Sequence, residues 1–165
     1  MTKLFLSLHV LAAILAVGPV TVAASMFPRT LRGAHSDPAA LATLRVLHRI
    51  CRVYAGVGIA LLVFGFATAS SLGVLGSPWL ITSIILTVCA AGVLLLLLLP
   101  GQEAALEATE GAGSGPAPDL PTPDLPTPDL GAAARQLAMF AGLFNLLWAV
   151  VTVLMIVRPG STTGA

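Results

Sequence analysis

Long apolar runs alternate with short polar stretches along this chain. A helix needs about 20 apolar residues to cross the hydrocarbon core of a bilayer. Four runs reach that length: residues 4–26, 53–72, 79–99 and 137–157. None contains Asp, Glu, Lys or Arg, and His9 is the one histidine inside them. Lipid offers no partner to a peptide group, so each run is expected to pair its own backbone as an α-helix. The pattern predicts an all-α fold, a four-helix transmembrane bundle forming a single membrane domain over 1–165.

The polar stretches refine the helix ends. Ser36-Asp37-Pro38 is a helix start, with a capping side chain followed by proline in the first turn. No breaker separates it from the second apolar run, so the second helix is expected over 38–72, projecting from the membrane. The third is expected over 79–99, where its apolar run ends. Residues 101–135 then change character. Glu103, Glu107 and Glu110 come first, followed by a Gly-rich patch and three tandem pentapeptides of the form Pro-(Ala/Thr)-Pro-Asp-Leu, from Pro116 to Leu130. Such spacing of proline forbids a helix, and low hydrophobicity with negative charge favours disorder. The expectation is a disordered acidic Pro-rich cytoplasmic loop. It reads more simply as a flexible linker than as a docking strip for a partner.

Charge placement supplies a direction. The chain is 57% hydrophobic and only 9% charged, against about 25% charged in soluble domains. Arg29, Arg32, Arg45, Arg49 and Arg52 lie between the first two runs, and Arg135 precedes the fourth. The other side has Lys3, Arg158 and an uncharged turn over 70–78. Positive charge collects on the cytoplasmic side, which puts both termini outside the cytoplasm. Arginine outnumbers lysine seven to one, a composition that suggests a GC-rich bacterial genome and hence the bacterial inner membrane. A cleaved signal peptide is the rival reading of the first run, with Lys3 ahead and Val22-Ala23-Ala24 before Ser25. It would leave the arginine-rich segment outside, against the charge rule.

Few residues carry candidate chemistry. Arg45, His48, Arg49 and Arg52 share one helical stripe. It can hold anionic lipid headgroups, at about 1 kcal/mol per charge, or serve as the ordinary basic collar of a cytoplasmic helix end. His9 lies roughly 7 Å inside the outer edge at 1.5 Å per residue, and an ionisable group at membrane depth points to function. Thr68, Thr82, Ser83 and Thr152 fall near the same depth and predict a polar layer with it. Its alternatives are a ligand position, haem included, or a neutral histidine bonded to a threonine or a carbonyl. His48 lies too far away to share a haem with His9. Asn145 is the second interior polar group, expected level with Gly18 and bonded to the first helix near Pro19. Cys51 and Cys89 differ in depth by roughly 15 Å, which forbids a disulfide. No phosphate loop, HExxH or GxSxG occurs, and neither a metal ligand set nor a catalytic pair is found.

Leu8-His9-Val10-Leu11-Ala12-Ala13, then Gly18-Pro19, with the Arg-rich approach Arg45 to Tyr54, resembles a family of uncharacterised bacterial four-helix integral membrane proteins, known as a domain of unknown function. The first helix is also similar to that of copper-resistance D-type and related haem-binding bundles, which implies a haem role for His9. Two readings stand. One is a non-enzymatic accessory or scaffold whose partners are the bilayer, anionic lipids, and a membrane protein or second copy of the chain. The other is a haem- or metal-binding redox or transport protein using His9. Nothing points to nucleic acid.

Overall fold

The computed structural model describes residues 2–34, 37–113 and 129–160. Every element among them is helical: α1 (Thr2–Gly33), α2 (Pro38–Leu72), α3 (Pro78–Gly92), α4 (Leu99–Gly113) and α5 (Leu130–Val157). A π-helical segment, Val93–Leu98, joins α3 to α4 into one rod. Four stretches are long and apolar enough to cross a membrane: Lys3–Gly33, Ala39–Leu72, Pro78–Gly111 and Leu130–Val157.

Local chemistry explains the helix ends. Asp37 Oδ1 accepts the Ala39 N–H at 2.8 Å, with Pro38 following in the first turn. Ser36 lies outside the described residues. The helix α2 closes at Gly73, whose φ of +66° suits a residue without Cβ; Val74 N–H then reaches back to Ala69 O at 3.2 Å. Asp129 Oδ1 caps α5 through the Ala132 N–H at 2.9 Å.

The loop expected over 101–135 is corrected at both ends. Pro100 does not stop the third helix. Proline cannot donate to the carbonyl four residues back and crowds it. The π segment answers this: Leu99 N–H reaches Leu94 O, five residues back, and the widened turn lets the helix continue. Residues 101–113 are therefore helical, and so are 130–135. Residues 114–128, which hold most of the Pro-Asp-Leu repeats and the expected disorder, lie outside the described residues. Likewise α1 runs on through Pro28 to Gly33, well past residue 26. Ala23 and Ala24, beside the candidate cleavage point, are buried in the bundle.

The helix α1 packs along α2 and α5, α5 packs against α3, and α4 returns to α2. Along α3 itself, α2 makes almost no contact. The bundle thus has two unlike ends. The end with the α1–α2 turn and α4, here the arginine-rich end, holds the main core of Phe27, Leu31, Leu44, Leu98, Leu137 and Phe144. Among the described residues, the opposite end, where α1 begins and α5 finishes, holds the small cluster Ala69, Trp79 and Leu80. Ile14, Ile59, Leu96 and Ile156 are among the large apolar side chains left exposed on the outside, where lipid replaces water as the neighbour.

Candidate functional site

The thin packing at the terminal end leaves a cavity of about 800 Å³ between all four spans. That is within the range of pockets that enclose a drug-sized molecule, about 300–1,000 Å³. Its walls are mostly apolar, with His9, Thr68, Thr87, Thr152 and Arg158 as the polar groups. Leu62 and Phe66 of α2 and Ile84 of α3 line it while remaining exposed. The cavity therefore opens sideways between α2 and α3, toward lipid.

His9 is held by the backbone of α2. Its Nδ1 lies 3.2 Å from Leu61 O. A carbonyl can only accept, so Nδ1 carries the hydrogen, and in the neutral ring Nε2 keeps its lone pair. One turn further along α2, Gly65 makes the approach possible. A Cβ at that position would sit 2.8 Å from His9 Cε1 and 3.0 Å from Nδ1. The Cε1 corner of the ring thus faces α2, with Nδ1 on the Leu61 carbonyl and Nε2 the farther nitrogen from Gly65.

The expected polar layer of His9, Thr68, Thr82, Thr152 and Asn145 is divided. The structure brings His9, Thr68 and Thr152 to the cavity. The threonine hydroxyls donate to their own helices, Thr68 to Phe64 O at 2.7 Å and Thr152 to Trp148 O at 2.8 Å. None therefore bonds His9, and each keeps lone pairs for a donor. Thr82 is exposed on the outside, bonded to Pro78 O at 2.9 Å, and Ser83 is buried against Trp79 O at 2.8 Å.

Asn145 belongs to the other end. Its Nδ2 donates to Ser25 Oγ of α1 at 3.1 Å. Ser25 is seven residues beyond Gly18, roughly 10 Å along the helix. Asn145→Leu is expected to destabilise the bundle in detergent by about 1 kcal/mol, the usual worth of an interhelical hydrogen bond in lipid. A thermal-unfolding cycle with Ser25→Ala checks it: fully additive losses would show that the pair is not the source.

At the arginine-rich end the stripe of Arg45, His48, Arg49 and Arg52 also divides. Arg45 pairs with Glu110 of α4 at 2.9 Å. His48 Nδ1 meets Gln102 Oε1 at 3.2 Å, and Gln102 Nε2 points to Cys51 Sγ at 3.7 Å. Gln102 and Cys51 are fully buried. Arg49 and Arg52 stay exposed. The cause is the helical continuation past Pro100, which lays α4 against half of the stripe. On α2, His48 is 13 residues from Leu61, so roughly 20 Å separates the two histidines, and one haem cannot bridge them.

Among the described residues no group of three His, Cys, Asp or Glu is placed to hold a metal. Cys51 and Cys89 are both free. Sequence reading gave no role to Gly65, Gln102 or Trp79 and counted Arg158 only as a charge. The one available signal was Gln102, a lone amide just beyond a run of leucines.

The family described as predicted integral membrane protein (DUF2269) matches residues 3–159. The chain belongs to this family and is an integral membrane protein. The expected similarity to copper-resistance D-type bundles is not shown by this match. No curated protein and no solved structure matches the chain significantly.

Proposed function

We propose that this chain is a non-catalytic binding protein of the bacterial inner membrane, accessory to a larger process, with its terminal-end cavity as the working site. The observation that carries this is the cavity itself, about 800 Å³ between four spans and open sideways toward lipid. Its walls are apolar, and it presents no nucleophile–base pair among the described residues. An apolar, lipid-soluble molecule is what such walls select. The six arginines of the opposite end support a cytoplasmic placement there, which puts the cavity and both termini outside the cytoplasm. Chain purified in mild detergent is expected to retain a small molecule, detected by solvent extraction and mass spectrometry, at about one per chain. Thr68→Trp, which puts an indole into the cavity, should displace it. Equal retention in that variant would refute the reading.

One observation favours a second reading, haem or metal binding by His9. A ring whose Nδ1–H is fixed on a backbone carbonyl offers Nε2 as a metal ligand, the usual outer arrangement of metal-binding histidines. A Soret band in the purified protein, lost in His9→Ala, would establish it; a protein without that band removes haem.

A further inference from the structure

We infer that the cavity takes a lipid with an anionic headgroup, its head on Arg158 and its chain between the four spans. This rests on the cavity reading above and adds the class of ligand. Arg158 is the C-cap of α5, and its φ of +46° is the one positive value on a described residue other than glycine. A left-handed backbone is unfavourable for arginine. It directs the side chain across the cavity mouth, where the guanidinium carbon lies 5.7 Å from the centre of the Trp79 ring. Arg158 Nε donates to Met155 O at 3.3 Å. That leaves the terminal Nη donors for another group.

No acidic side chain among the described residues meets them. The acidic side chains among the described residues are Asp37, Glu103, Glu107, Glu110 and Asp129, all at the arginine-rich end. Arg158 therefore stands half-buried without a countercharge among the described residues, at the edge of an apolar space. A forked guanidinium suits a phosphate or carboxylate. Below it the cavity extends along α5 to Trp148, ten residues or about 15 Å. That is half the thickness of a hydrocarbon core of about 30 Å, the depth of one leaflet. Leu72, Leu80, Val151 and Met155 line this path. The gap between α2 and α3 lets a chain enter from the side.

The full chain in detergent is mixed with phosphatidylglycerol, phosphatidylcholine of the same chains, and a free fatty acid, and bound lipid is read by native mass spectrometry. An anionic lipid is expected to be retained over phosphatidylcholine by on the order of tenfold. Whether phosphatidylglycerol or the fatty acid dominates tells phosphate from carboxylate. Arg158→Gln should erase the preference while total lipid occupancy stays. Arg158→Gly should do the same with the backbone relaxed, which separates loss of charge from loss of fold. A preference unchanged in both variants, or erased instead by Arg49→Gln with Arg52→Gln, overturns the proposal and leaves the cavity reading standing. No lipid retained by the unaltered chain overturns the proposal alone; the same occupancy in Thr68→Trp overturns both.

Discussion

Phe27→Ala is expected to lower the unfolding free energy of the bundle in detergent by about 3–5 kcal/mol, the usual loss for a large aromatic in a core. Phe27 has no exposed surface and sits among Leu31, Leu44, Leu98 and Leu137, where α1, α2, α5 and the third rod meet. Between membrane helices, packing contacts rather than exclusion of water provide most of the attraction. A void at this junction removes those contacts on every side at once. Ile14→Ala on the same helix trims a side chain that is 64% exposed to the outside, and its loss should be about 0.5 kcal/mol or less. Thermal unfolding followed by circular dichroism compares the two. Similar shifts for both would mean that the arginine-rich end is not the core of the fold.

That core was only partly legible in the sequence. The four crossings were, because lipid demands apolar side chains over a fixed length and each run supplies them. Helix continuing beyond the bilayer leaves no such mark. Arg29 and Arg32 in α1, Glu103 and Glu107 in α4, and Arg135 in α5 read as loop by hydropathy, yet all lie on helices. The third run ends at Leu99 by hydropathy, and the helix continues through Pro100. Whether a π segment absorbs the proline's missing donor depends on the packing of α4 against α2 and α5, as where Gly101 admits Leu137.

The site shows the same division. His9 stands out in the sequence through the rarity of charge-bearing groups in lipid. Its partner, the carbonyl of Leu61, has no sequence signature, since every residue has a carbonyl. Thr82 and Thr152 lie near one depth yet face different surroundings, the former outward and the latter to the cavity. Depth follows from counting residues; facing follows from the rotation of each helix about its axis. Arg158 was visible only as a charge because its contacts come from the turn at the end of α5 and from Trp79, which starts another helix.

Gly65→Leu tests the junction on which the cavity depends, with an expected destabilisation of about 2–4 kcal/mol. Inserting bulk into a packed contact costs about 1–3 kcal/mol, and the His9–Leu61 hydrogen bond, displaced with the ring, adds about 1 kcal/mol. The first added carbon would already lie 2.8 Å from the ring. Gly56 is the control, since nothing lies within 4 Å of a Cβ built there; Gly56→Leu should leave stability nearly unchanged. Combining Gly65→Leu with His9→Ala removes the ring that the leucine strikes. The double variant is then expected to lose clearly less stability than the sum of the single losses, because the two positions are in contact. Ligand retention should fall in Gly65→Leu, and the double variant should not regain it if the His9 ring is part of the site. Strict additivity of the two substitutions in thermal unfolding would mean that His9 does not rest on Gly65. The close approach of the His9 ring to α2 would then lose its support.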